Sequence, residues 1–136
     1  MGQDHIDWIK RGIEAFNRGD WDTALEGIAE DVVWTAFLAR LDGEKSIYGH
    51  EALKRTWTAQ RDALGGESYK VEAQDFRDLG AGAVLVPIRI TARGTGSGVP
   101  LEIEYVQLWT FRQGLAVRID IYADVAEALE DAGLSE

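Results

Sequence analysis

The sequence predicts an α+β fold, an antiparallel sheet packed along one face on helices from the N-terminal half. Apolar residues recur at helical spacing through the first third of the chain. Strand-like runs then follow one another in the second half, separated by glycine-bearing turns. The chain has 136 residues, the size of one domain. No internal repeat, linker or low-complexity tract divides it, so residues 1–136 read as a single domain.

Asp4 is placed to N-cap a first helix in which Ile6, Ile9, Ile13 and Phe16 form one apolar stripe. Gly19 stops it, and Asp20 caps a short second helix carrying Trp21, Ala24, Leu25 and Ile28. Val32 to Leu38 is rich in β-branched and aromatic residues and reads as a strand. Ala39 to Tyr48 reads as a loop, at a length where loops in compact domains are often functional. A third helix follows Gly49, with Leu53, Trp57 and Leu64 near one face and Gly65-Gly66 at its end. Ser68 to Arg77 is a mostly polar strand and Asp78 to Gly82 a turn. Ala83 to Arg93 and Val99 to Arg112 flank the glycine-rich turn Gly94 to Gly98. That turn is no phosphate loop, because neither a Lys-Ser/Thr pair nor a helix follows it. Leu115 to Tyr122 returns after Arg112-Gln113-Gly114. Asp124 then caps the last helix, with Glu127 completing a capping box and Gly133 as the stop.

Composition narrows the function classes. Hydrophobic residues make up 46% and charged residues 28%, as in an ordinary globular protein. A formal charge of −10 repels phosphate backbones, so nucleic acid is not an expected partner. The absence of cysteine excludes a disulfide framework, a thiol nucleophile and thiolate metal sites. With only His5 and His50, a zinc site would need carboxylates for most of its ligands, and no metal or cofactor is expected. No stretch approaches the roughly 20 apolar residues of a membrane helix. The start MGQDHIDWIKRG has charges where a signal peptide is apolar. A cytoplasmic protein without a membrane partner is expected. The acids Glu26, Glu30, Asp31, Glu127, Glu130 and Asp131 read as a solubilising surface.

Strand register decides which side chains meet. A three-residue loop at Arg112-Gln113-Gly114 sets Phe111 opposite Leu115, Gln107 opposite Ile119 and Tyr105 opposite Ile121. The odd face then carries Tyr105, Gln107, Trp109, Phe111 and Ile121. If Arg93 pairs with Val99, Arg89 and Thr91 join that face. A two-residue turn would instead bring Asp120 to it. Such a surface makes an apolar pocket with a few converging polar groups. Its ligand-binding candidates are Trp34, Trp57, Arg89, Tyr105, Gln107, Trp109 and Ile121. The bland alternative is that these side chains only fill the core.

Several short motifs together resemble SnoaL-like proteins: Glu14-Ala15-Phe16-Asn17-Arg18-Gly19-Asp20, Tyr48-Gly49-His50-Glu51-Ala52-Leu53, Trp109-Thr110-Phe111-Arg112-Gln113-Gly114 and Tyr122-Ala123-Asp124 with Ala126-Glu127-Ala128-Leu129 and Gly133-Leu134. These proteins fall in the superfamily named after nuclear transport factor two, with ketosteroid isomerases and limonene-epoxide hydrolases. The resemblance runs from about Ile6 to Leu134. It implies a cone-shaped, cystatin-like α+β barrel, its curved sheet antiparallel or mixed and packed on the N-terminal helices, with an internal hydrophobic pocket and, as is frequent in the family, a homodimer formed through the sheet. It implies no one reaction. The polyketide cyclases of the family place an acid/base Asp on the last strand and some a His on the strand before, positions that align here with Ile121 and Gln107. Epoxide hydrolases use an Arg, an Asp and the last-strand Asp, aligned with Arg89, Thr91 and Ile121, so the arginine stands without its acids.

Two readings follow. One is a cofactor-independent cyclase, isomerase or hydrolase acting on a small hydrophobic carbonyl compound. Its relocated acid/base is then Asp120, or His50 and Tyr48 at the cavity mouth, with Tyr105 as an oxyanion donor. The other is a non-catalytic binder in which Arg89 grips the carboxylate of an apolar ligand bidentately. A dimeric module without a ligand is the third possibility.

Overall fold

The computed structural model describes residues 2–35, 47–63, 66, 69–93 and 100–131. Its elements run α1 (Gly2–Asn17), α2 (Trp21–Ala24), β1 (Ile28–Thr35), β2 (Ile47–Tyr48), α3 (Gly49–Ala63), β3 (Lys70–Ala73), β4 (Arg77–Gly80), β5 (Ala83–Arg93), β6 (Pro100–Arg112), β7 (Leu115–Tyr122) and α4 (Val125–Asp131). Of the expected loop Ala39 to Tyr48, residues 39–46 lie outside the described residues, while Ile47 and Tyr48 form β2 paired to β1. The helix end at Leu64-Gly65, the turn Gly94 to Gly98 and the stop at Gly133 also lie outside them.

The strands form one curved, unclosed sheet in the order β2-β1-β7-β6-β5-β3, with β4 also paired to β5. β1 runs parallel to β7 and the other pairs are antiparallel, so the sheet is mixed. Several local expectations change. The first helix begins at Gly2, which places Asp4 in its first turn. The strand expected over Val32 to Leu38 begins earlier, at Ile28, which was expected on the second helix. The polar run carries a strand only over Lys70–Ala73, and a further strand, Arg77–Gly80, takes up most of the expected turn Asp78 to Gly82. The second helix is a single turn, capped as expected by the Asp20 carboxylate accepting from the Thr23 N–H at 3.2 Å.

Alternation along β5 sets the layers. Val84, Val86, Ile88, Ile90 and Ala92 are buried on the inner face against α1 and α3, in one core with Ile9, Leu53, Trp57 and Ile119. Leu85 points the other way, with Val106, Leu108 and Tyr122, and α4 covers that group with Ala128 and Leu129. Helices therefore occupy both sides of the sheet rather than one. Asn17 ties the first layer down: its amide donates to the Val71 carbonyl at 2.9 Å and accepts from the Val71 N–H at 2.8 Å.

Both hairpin registers differ from expectation. The β6–β7 turn has two residues, Gln113 at φ 52 and Gly114 at φ 82, the left-handed pair of a type I′ turn. Arg112 pairs with Leu115 and Phe111 with Ala116, after which Thr110 pairs with Arg118, leaving Val117 as an extra residue. This bulge restores the parity that the short turn removed. Gln107 consequently sits opposite Ile121, and Asp120 sits opposite Leu108 on the outer face. In β5–β6, Arg93 pairs with Pro100 rather than Val99. One residue of slip sends Arg89 and Thr91 to the outer face, beside Glu104 and Glu102.

Candidate functional site

A cavity lies between the inner face of the sheet and α1 and α3. Its wall takes Gly12, Ile13 and Phe16 from α1, Trp57 and Gln60 from α3, and Trp34 from β1. Val71 of β3 and Tyr105, Gln107 and Trp109 of β6 complete the other side, with Ala24, Ile28 and Tyr69. The helical stripe of α1 supplies Ile13 and Phe16 because every third or fourth residue meets the sheet. Period-two alternation along β6 supplies two polar-tipped rings, Tyr105 and Trp109, and the Gln107 amide between them. Phe16 is the hub of the aromatic wall, 5.3 Å from Trp57 edge-on and 5.9 Å from Tyr69 between ring centroids. Trp34 meets Trp57 at 6.2 Å, also edge-on. The open volume is about 40 Å³, room for about three waters and well below the roughly 300 Å³ of an ordinary ligand pocket.

Polar groups on the sheet side of this space come from Tyr69, Tyr105, Gln107 and Trp109. The Trp109 indole N–H donates to the Gln107 side-chain oxygen at 2.8 Å, and both residues are buried. Burial pushes the Tyr69 hydroxyl up to about 12. Tyr105 is raised as well, first by burial and then by the nearby Tyr69, while the Gln107 amide pulls the other way by hydrogen-bonding its oxygen. Among the described residues the wall contains no Asp, Glu, His, Lys or Arg.

Other expected site residues lie elsewhere. Arg89 is on the outer face, its Nε 2.9 Å from Glu102 in an ion pair too bent for a hydrogen bond, and its Nη2 3.5 Å from Glu104. Glu72 is its partner across β3. Asp120 is on the outer face too. It is 6% exposed, and both carboxylate oxygens accept from Arg118 Nε at 3.1 and 2.9 Å. His50 opens α3 but turns to the surface, its Nε2 2.8 Å from the Ile28 carbonyl, in a groove with Lys54, Glu30 and Leu115. Tyr48 is 62% exposed and pairs with Val33. Neither stands at the cavity. Ile121 does face inward beside Gln107 but packs into the core. Sequence reasoning overlooked Tyr69, which precedes a polar strand, and Gln60, a polar residue on a helix with no feature to single it out. It read Ile13 and Phe16 as core alone.

A model of the SnoaL-like domain matches residues 9–119. The chain belongs to the SnoaL-like domain family. Solved structures with this fold include an NTF2-like protein of unknown function from Burkholderia pseudomallei, 22% identical, with a TM-score of 0.72 over 93% of this chain and 95% of that one. TerC, co-crystallised with polyporic acid, is 22% identical with a TM-score of 0.74 over 93% and 96% of the two chains. A protein of ketosteroid isomerase-like fold from Catenulispora acidiphila, in complex with trimethylamine, is 12% identical with a TM-score of 0.70 over 94% and 93%. No curated protein matches the sequence.

Within this SnoaL-like chain the family's last-strand and preceding-strand positions, Ile121 and Gln107, do face each other on the inner side of the sheet. The hydrolase-type positions do not carry over. Arg89 and Thr91 point outward, and the inward residues of that strand are Ile88 and Ile90. Among the described residues no three metal-ligating side chains come together, and no helix is long and apolar enough to cross a membrane.

Proposed function

We propose that this protein binds a compact, uncharged, largely apolar ring compound in the cavity beneath its sheet, without performing acid/base chemistry on it. The observation that carries this reading is the wall itself. It is built from six aromatic side chains and aliphatic ones, with amide, indole and phenol groups as its polar points and, among the described residues, no group that titrates near neutrality. Cyclisation or isomerisation through an enolate needs a base that takes a proton from carbon, and Asp120, His50 and Tyr48 are not placed to serve. Burying an anion in this wall would cost several kcal/mol without a cation, and Arg89 is not there to supply one. Because the open volume is about 40 Å³, the guest enters by displacing wall side chains, with exposed Gln60 at the rim.

Calorimetric titration with indene and 1-indanone tests the reading. Saturable one-to-one binding of at least one of them is expected. It is retained in Arg89→Ala and lost in Gly12→Leu, where the new side chain grows from α1 into the cavity. Absence of binding by both compounds would overturn it.

A further inference from the structure

The space under the sheet has an open volume of about 40 Å³, so a ring compound is admitted only when part of the wall moves. Among the described residues the sheet side of the wall is buried at Trp34, Val71, Gln107 and Trp109, whereas Ile13 and Phe16 of α1 are half-buried and Gln60 of α3 is exposed. The thin part of the wall is therefore the seam between α1 and α3. Phe16 and Trp57 meet across that seam, 5.3 Å apart between ring centroids. Trp21 of α2 touches both, at 5.0 and 5.6 Å, without lining the cavity itself, so its half-buried ring closes the seam from outside.

The contacts that hold Trp21 there are exposed. Its indole N–H donates to the Thr58 hydroxyl oxygen at 3.2 Å, and the hydroxyl proton goes in turn to the Lys54 carbonyl at 2.8 Å. Beside it Asp22, its side chain 89% exposed, pairs with Lys54 at 3.1 Å. Water competes for each of these contacts, so each contributes little. α2 is a single turn, too short to hold its shape alone. Among the described residues the backbone hydrogen bonds of Asp20 to Glu26 close within residues 20–28 or onto α1. Only the ends are fixed. Gly19 lies under the Arg61 guanidinium, where a Cβ would be 2.6 Å from Nη1, and Gly27 lies against the Trp8 ring and accepts from the Ala116 N–H at 2.9 Å.

We propose that Trp21 is the gate of the cavity and the Thr58 hydroxyl its latch: when the indole N–H leaves Thr58, Trp21 swings out with α2, Phe16 parts from Trp57, and a guest passes between α1 and α3. The proposal rests on the binding function above. A latch that closes over the empty and the filled cavity alike favours neither state. Losing it therefore speeds entry and exit by the same factor and leaves affinity unchanged. A residue that only supports the wall gives another pattern, faster exit alone.

Stopped-flow mixing with 1-indanone and with indene, read by tryptophan emission, separates these cases. In Thr58→Val the association and dissociation rates are expected to rise together by about fivefold, the contribution of one exposed hydrogen bond, with Kd unchanged. Trp21→Phe keeps a ring and loses the N–H, so it is expected to give the same rise. The double variant should show no more than either alone, and Thr58→Ser should keep the parent's rates. An association rate in Thr58→Val equal to the parent's, or a rise in dissociation alone, would overturn the proposal while the binding function stands. The gate is also read without a guest. Water reaches the buried Trp109 N–H through the same seam, so its hydrogen–deuterium exchange, followed by NMR, is expected to quicken about fivefold in Thr58→Val. Unchanged exchange would overturn the gate. Binding by neither compound would overturn the binding function, and with it the passage of a guest.

Discussion

Arg89 and Gln107 lie on neighbouring strands, yet one reaches the water-facing side of the sheet and the other the interior. The difference is a single residue of register, and it changes what each side chain does. Arg89 is held among Glu72, Glu102 and Glu104, and exposed ion pairs contribute little because water already solvates both partners. Arg89→Ala is expected to leave the affinity for 1-indanone unchanged and to alter stability by less than about 1 kcal/mol, read from the urea midpoint. Tyr69 sits at the other extreme. Its hydroxyl is raised from 10.0 to about 12 by burial, so between those values the folded chain keeps a proton that the unfolded chain has lost. Stability is therefore present in full below pH 10 and falls as pH rises, at up to about 1.4 kcal/mol per pH unit. Tyr105 acts in the same direction. Urea midpoints measured from pH 9 to 12 should drop less steeply in Tyr69→Phe than in the parent; equal slopes would mean the buried phenol is not what titrates. Which residues could line a hollow was legible from ring chemistry and alternation in Tyr105, Gln107 and Trp109. Arg89 was misplaced because the glycine turn after it does not declare its own length.

Elements were legible where propensity and punctuation agree. β5 and β7 match the expected spans residue for residue, since each begins just after a turn glycine, Gly82 or Gly114, and carries Val and Ile along its length. The β6–β7 pairing was not legible, because a two-residue turn and a bulge at Val117 cancel and no residue type announces a bulge. Gln113 holds φ 52 at the first central position of that turn, where asparagine is far more at ease than glutamine. Gln113→Asn should raise stability by about 0.5 kcal/mol in urea unfolding, whereas a decrease would argue against the left-handed turn. Gly82 tests the same end of β6 from its β5 side, where the Phe111 N–H donates to the Gly82 carbonyl. It sits at φ +82, and a Cβ there would lie 2.5 Å from the Phe111 carbonyl oxygen. Gly82→Ala should cost about 3 kcal/mol or more, combining backbone strain with a clash against an oxygen that cannot move freely.

Among the described residues most charge lies outside and most rings lie inside, with the buried Asp120 and the exposed Tyr48 as exceptions. Asp22, Glu26, Glu30 and Asp31 line the surface beside the His50 groove, while the described residues of the cavity wall offer only uncharged polar groups. Fold class could be read from the sequence, since helices first and hairpins later leave few ways to bury one apolar face. The last helix could be read as a helix but not assigned a side, because its Ala128 and Leu129 fit either face of a sheet. Crystals of the protein soaked with 1-indanone give the most direct test of this arrangement. The guest should appear among Phe16, Trp57 and Trp109. A guest found only on the outer face, beside Arg89 or Asp120, would contradict the account.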